Sequence, residues 1–317
     1  METIYFLVQQ TMLFSIPLLL VALGGMFSER SGVVNIALEG IMIIGAFTGI
    51  FFISRFGNLF SPTITLFIAI IISALSGLIF SLLHAYASIN MSADQVISGT
   101  ALNIFAPAFA IYVTRAIQVV QQISFVNNFR IESVPFLGNI PIIGNLLFKN
   151  AYITTYLGFI ILALSWFALY KTRFGLRLRS CGEHPQAADS VGINVYKMRY
   201  FGVAISGALA GIGGLVFVIP TSTNFNATVA GYGFLALAVL IFGQWKPIRI
   251  LYAAFFFGLM KTLASAYSGI PILSNLPISN SVYKMIPYIT TIIVLAFTSK
   301  NSQAPKASGL PYDKSVR

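Results

Sequence analysis

The sequence predicts an all-α fold: a polytopic transmembrane helical bundle of about eight to ten spans, some of them broken or half-length. Three observations carry this. Of 317 residues, 57% are hydrophobic and only 9% are charged, whereas a soluble domain carries about 25% charged residues. Apolar runs recur along the chain at about 4–26, 35–54, 62–83, 95–115, 151–170, 200–220, 229–243, 248–268 and 284–299. The charges are also one-sided in sequence: 19 Lys and Arg stand against 8 Asp and Glu, a formal +11. Together these exclude a soluble globular enzyme.

In a soluble chain such a basic balance points to nucleic acid. Here it reads as topology, because basic residues collect in the cytoplasmic loops of membrane proteins. The longest polar stretch, 171–199, holds Lys171, Arg173, Arg177, Arg179, Lys197 and Arg199 and is placed in the cytoplasm. Counting forward puts Lys246, Arg249, Lys300, Lys306, Lys314 and Arg317 on the same side. Counting backward makes 84–94 internal and 118–150 external, and it leaves the N-terminus outside unless a run is miscounted. No nucleic acid partner is expected; the lipid bilayer is.

The first run, from Met1 to Met26, is longer than a signal-peptide core and lacks a basic leader and a small-residue cleavage site, so it reads as a retained helix. The single cysteine, Cys181, excludes an intramolecular disulfide and sits in the basic stretch, where a reducing compartment is expected. The domain reading is one transmembrane unit over 1–300 that contains the loop 171–199, followed by a polar cytoplasmic tail over 301–317 expected to be disordered.

Some runs depart from ordinary spans. The runs 229–243 and 284–299 read as short for the apolar thickness. The stretch Phe27 to Gly49 interrupts apolar sequence with Ser28-Glu29-Arg30-Ser31-Gly32, then Asn35 and Glu39. Broken helices in transporters line the substrate path, where freed backbone groups find water, protein or ligand. Small residues at helical spacing, Gly45 and Gly49 or Gly207 and Gly211 followed by Gly213 and Gly214, mark close helix packing.

Ionisable groups at membrane depth cost roughly 2.5–3.5 kcal/mol on insertion scales. Glu39 therefore either borders the path or a gate, or pairs with a neighbouring helix. Glu29 and Arg30 read as an interfacial pair fixing the break, and Lys261 as a side chain that snorkels outward. Asn35 and Asn103 both donate and accept, which suits a neutral polar solute as well as interhelical hydrogen bonding. Asn35, Glu39 and Asn103 are the candidate residues of the translocation path. Chains of coupled carboxylates, expected of a proton-driven carrier, are absent from the sequence. So are a phosphate-binding loop and a His/Cys/carboxylate cluster of catalytic or metal-binding spacing. No catalytic residue, metal site or cofactor is predicted.

In the cytoplasmic stretch, Gly182-Glu183-His184-Pro185-Gln186-Ala187-Ala188-Asp189-Ser190-Val191-Gly192-Ile193-Asn194 predicts one short helix with proline in its first turn and a closing glycine. A short helix held between two spans is a docking element. This order of residues resembles the conserved loop by which permease subunits of branched-chain amino acid and ribose-type ABC importers contact their ATPase. Three further stretches narrow the resemblance: Ala22 to Gly40, Gln95 to Asn103, and Gly231 to Pro247. Together they resemble the permeases of nucleoside ABC importers that work with basic-membrane-protein-family binding lipoproteins. His184 and Cys181 depart from the residue types common there.

The resemblance implies an ATP-driven importer subunit in a bacterial cytoplasmic membrane, with alternating access driven by an ATPase on 182–194. It implies a separate cytoplasmic ABC ATPase, a second and often non-identical permease subunit, and an extracytoplasmic substrate-binding lipoprotein. The residues expected to dock the ATPase are Gly182, Glu183, Pro185, Ala187, Ala188 and Gly192. The alternatives are an ABC permease for a sugar or a branched-chain amino acid, and an ion-coupled secondary carrier.

Overall fold

The computed structural model describes residues 2–126, 129–134, 138, 140–141, 144–267, 279–298 and 303–314. Its helices in chain order are α1 (Glu2–Arg30), α2 (Leu38–Phe56), α3 (Pro62–Ile89), α4 (Gln95–Gln118), α5 (Ile153–Lys171), α6 (Arg173–Glu183), α7 (Pro185–Ser190), α8 (Val195–Thr221), α9 (Tyr232–Phe242), α10 (Pro247–Ala266) and α11 (Asn280–Thr298). Among the described residues, seven of these, α1 to α5, α8 and α10, are long and apolar enough to cross a membrane. The helix starts follow local chemistry. Proline opens α3, α7 and α10, where its missing N–H and fixed φ cost nothing. Asp94 caps α4 by accepting from the Val96 and Ile97 N–H groups, and Asn194 caps α8 by accepting from Lys197 N–H.

The centre of the bundle is α8, and its glycines explain why. A Cβ on Gly211 would overlap the Ser73 carbonyl of α3, one on Gly45 of α2 would overlap Gly211, and one on Gly214 would overlap the Met42 carbonyl of α2. The small-residue spacing seen in the sequence is therefore where α2, α3 and α8 meet backbone to backbone, the usual way helices associate in lipid. Outward residues such as Ile71, Ile79, Ile104 and Ile160 are apolar and exposed, as lipid-facing positions should be.

The Gln9 amide of α1 donates to the Lys149 carbonyl, whereas Arg30 at the other end of α1 meets Glu183 of α6. The N-terminus thus lies at the end opposite the basic loop, which is the side that backward counting gives.

Some details of the described residues add to or differ from the sequence reading. The last run is not short: α11 covers 19 residues, because the polar Asn280-Ser281 turn extends a helix that hydropathy starts later. The 118–150 stretch contains strands, with β1 (Ile123–Ser124) antiparallel to β4 (Asn224–Phe225) and β2 (Arg130–Ser133) antiparallel to β3 (Lys149–Tyr152). The tail, expected to be disordered, packs over 303–314 against the end of the bundle that carries the basic loop, where Ala307 and Tyr312 are buried. Lys300 and Arg317 fall outside the described residues.

Candidate functional site

The four sequence stretches that stood out come together at one place, the interruption between α1 and α2. Residues 31–37 are not helical and are mostly buried, and a buried chain that leaves helical geometry must place its N–H and C=O groups on other protein groups. Val34 N–H donates to Gln95 Oε1, the Val34 carbonyl faces His84 Nε2 at 2.9 Å, and the Ile36 carbonyl accepts from Asn103 Nδ2. Ser28 Oγ donates to the Val33 carbonyl, and Ala37 N–H donates to Asn35 Oδ1. Close approach is allowed by small residues: a Cβ on Gly99 would press on Ile36 and Ala37, and one on Gly182 would overlap the Arg30 carbonyl.

The three residues singled out for the path all lie at this break. Asn35 is fully buried and its Nδ2 donates to Ser206 Oγ of α8 at 2.9 Å. Asn103 accepts from Gly40 N–H at 2.7 Å while its Nδ2 holds Ile36. Glu39 reaches α9: its Oε1 accepts from Gly231 N–H at 2.9 Å and its Oε2 from Gly233 N–H at 2.6 Å. A carboxylate at a helix N-terminus meets both the free donors and the positive end of the helix dipole. In the structure, then, both amides are bonded to protein groups and Glu39 is a helix cap.

At the other end of α9, Glu29 and Arg30 do not pair with each other. Glu29 Oε2 accepts from Trp245 Nε1 at 2.6 Å, and the Arg30 guanidinium donates to the Trp245 carbonyl at 3.1 and 3.3 Å. Arg30 also lies 3.5 Å from Glu183 of α6. The 11 residues of α9 are about 16 Å long at 1.5 Å each, near half the apolar thickness. The acids on either side of the break each take one end of this half-helix. Its flanks, Ala230, Gly231, Gln244 and Trp245, all have positive φ, and a left-handed residue other than glycine costs roughly 1–2 kcal/mol. Lys261 does not snorkel outward; its ammonium lies 5.7 Å from the centre of the Tyr232 ring, where α9 begins.

The basic loop 171–199 forms two helices where one was expected. Before α7 comes α6, capped by Thr172 accepting from Gly175 N–H. Proline opens α7 at Pro185 and Gly192 follows it at φ +81. Ala187 faces outward, whereas Pro185 and Ala188 are buried. Glu183 is half exposed beside Arg30. Cys181 of α6 is buried, and burial raises its thiol above the ordinary cysteine range.

At the opposite end of the bundle a cavity of about 480 Å³ is lined by Gln9, Gln10, Phe14, Thr155, Phe217 and Thr221, among others. Sequence reasoning passed over this cavity. It also missed Trp245, Ser206, His84 and Gln95 as partners of the break; the polar residues inside apolar runs were the available signal. Among the described residues, no group of three or more His, Cys, Asp or Glu is placed to hold a metal ion.

Residues 7–295 match the family described as branched-chain amino acid transport system, permease component. The chain is 43% identical over 315 residues to the nucleoside ABC transporter permease protein NupC of Lactococcus lactis subsp. cremoris, covering 99% of this chain and 98% of that protein. It is 44% identical over 313 residues to the guanosine ABC transporter permease protein NupQ of Bacillus subtilis, covering 98% and 97%. A putative glucose ABC transporter permease, TsgC13 of Haloferax volcanii, is 30% identical over 300 residues, covering 88% and 87%. No solved structure matches the chain. Permeases of ABC transporters work with an ATPase and a binding protein, and they are transport subunits rather than enzymes. With a matching family over nearly its whole length and seven helices long and apolar enough to cross a membrane, the chain belongs to the permease-component family of branched-chain amino acid-type ABC transport systems.

Proposed function

We propose that this chain is the membrane-spanning subunit of an ATP-driven importer of nucleosides, with the ATPase docking on 182–194 and the break between α1 and α2 moving with α9 to open and close the path. The substrate class rests on full-length similarity to two permeases named for nucleosides and guanosine. The cavity at the extracytoplasmic end supports it, because amides, hydroxyls and aromatic faces from Gln9, Gln10, Thr155, Thr221, Phe14 and Phe217 are what a neutral, flat, hydrogen-bonding solute requires.

In this reading Gly182, Glu183, Pro185, Ala187, Ala188 and Gly192 form the docking element. Ala187 presents the contact face, Pro185 and Ala188 fix the helix against the bundle, and Gly192 turns the chain back into α8. Glu183 works inward, through Arg30 and Trp245, on the end of α9. Asn35, Asn103 and Glu39 shape the path by holding the break rather than by touching solute. The full assembly has a second, non-identical permease subunit, a cytoplasmic ATPase and an extracytoplasmic binding lipoprotein.

The substrate class is tested by uptake of labelled guanosine and uridine, against ribose and leucine, in cells lacking other carriers for them. Nucleoside uptake that ribose and leucine leave unchanged is expected; competition by ribose or leucine instead would make this a sugar or amino acid permease. Coupling is tested by Glu183→Lys, which sets a second cation beside Arg30. ATP hydrolysis by the purified complex is expected to continue while nucleoside uptake per ATP falls, with the chain still inserted in the membrane. Uptake equal to wild type would remove Glu183 from the coupling route.

A further inference from the structure

The docking loop, the break and the start of α8 are fastened together by a segment none of these roles includes. Residues 303–314 run across the cytoplasmic face and bond to each part in turn. Gln303 N–H donates to Gln244 Oε1 in the turn between α9 and α10 at 2.8 Å. Ala307 N–H donates to the Gly182 carbonyl at the end of α6 at 2.9 Å, and Gly309 N–H to the Gly32 carbonyl of the break at 3.2 Å. Arg199 of α8 donates from Nη1 to the Leu310 carbonyl at 3.0 Å. Tyr196 of α8 donates to the Tyr312 carbonyl, and the two rings meet edge to face at 5.4 Å. Lys314 lies 3.9 Å from Asp189 of α7, a partly exposed pair of little value by itself.

Arg199 is the anchor. Its side chain is fully buried, its Nε and Nη2 have no hydrogen-bond partner among the described residues, and its guanidinium lies 5.9 Å from the centre of the Tyr312 ring. A buried guanidinium with free donors depends strongly on the partners it keeps. Here those are a main-chain carbonyl and an aromatic face, both from the same short segment. Gly32, at φ +100, makes room for it, since a Cβ there would come within 2.9 Å of Arg199 Nη2.

We propose that 303–314 is a strap, anchored on Arg199, that makes the docking loop, the break after α1 and the α9–α10 turn move as one rigid piece, so that displacement of α7 by the ATPase reaches the break undiminished. Arg199 is a positioning residue in this scheme. It touches neither solute nor ATPase. The proposal rests on the docking reading above, and coupling of this kind needs a contiguous packed or bonded route with discrete arrangements.

The test uses the full complex reconstituted in vesicles, with the chain ended after residue 302 and, separately, with Ala307→Pro, which removes the donor to Gly182, and with Arg199→Lys. The ATPase is expected to co-purify with each and to hydrolyse ATP. Nucleoside uptake per ATP is expected to fall at least about fivefold for the first two, the low end of coupling between distant sites. Arg199→Lys, which keeps a cation and a donor but not the planar face, should fall between these and wild type. Cys181, the chain's single cysteine, lies next to Gly182 and is buried, so its alkylation should quicken when the strap is lost. Uptake per ATP at the wild-type level in both the shortened chain and Ala307→Pro would overturn the proposal. So would loss of ATPase binding in them, which would make the segment part of the ATPase footprint. Failure of the docking reading looks different: the ATPase would then bind wild type and docking-helix variants alike.

Discussion

Gly211→Leu is expected to leave little of the chain in the membrane. A Cβ at this position already overlaps the Ser73 carbonyl of α3, and on the other side Gly211 lies where a Cβ on Gly45 of α2 would fall. Ordinary overpacking of a core costs about 1–3 kcal/mol and is relieved by side chains changing rotamer. Here the obstacles are main-chain atoms of α3 at Ser73 and Gly77, so relief requires whole helices to separate. In lipid no hydrophobic force draws them back, because association depends on close contact itself. Ala101→Leu, at an exposed position on α4, is the control and should accumulate normally. Quantitative immunoblotting of membranes measures both, and a Gly211→Leu chain as abundant as wild type would mean that α3 and α8 do not meet as described.

Glu39→Ala is expected to abolish uptake while the chain still inserts. Both carboxylate oxygens hold N–H groups at the start of α9, and hydrogen bonds to charged groups are worth about 1.5–3 kcal/mol each. Alanine would leave those donors unmet next to a turn whose Ala230 and Gly231 have positive φ. The half-helix would lose the grip of α2 while keeping that of Glu29 and Arg30 on Trp245. Glu39→Gln retains one acceptor and should keep part of the activity. Uptake normalised to the amount of chain in the membrane distinguishes the two variants. Equal activity for Glu39→Ala and wild type would show that the cap is dispensable.

How much of this was legible in the sequence depended on whether residues announced themselves. Glu29, Arg30, Asn35 and Glu39 are costly at membrane depth, so their presence within apolar sequence is enough to mark the break. Pro185 and Gly192 bracket α7 through local backbone chemistry, and Gly207 and Gly211 mark the packed face of α8 through their spacing. The partners were not legible, because each comes from far along the chain. Trp245 lies 216 residues from the Glu29 it bonds, and Ser206 lies 171 from Asn35. A neighbouring acid and base, Glu29 and Arg30, read as a pair, yet both side chains turn to Trp245. The tail was misread for a different reason. Its Pro, Ser, Lys and Gly content is that of a disordered segment, but the contacts that order it come largely from main-chain N–H and C=O groups that composition does not reveal.

In the proposed function, ATP hydrolysis on a partner docked at 182–194 drives solute through this chain. The direct measurement is nucleoside uptake into proteoliposomes holding the reconstituted complex, with ion gradients collapsed, ATP supplied on the ATPase side, and wild type compared with Ala187→Arg on the outward face of α7. Uptake that requires ATP, survives loss of the gradients and disappears with Ala187→Arg is the predicted result. Uptake that continues without ATP and stops when the gradients are collapsed, or that Ala187→Arg leaves unchanged, contradicts it.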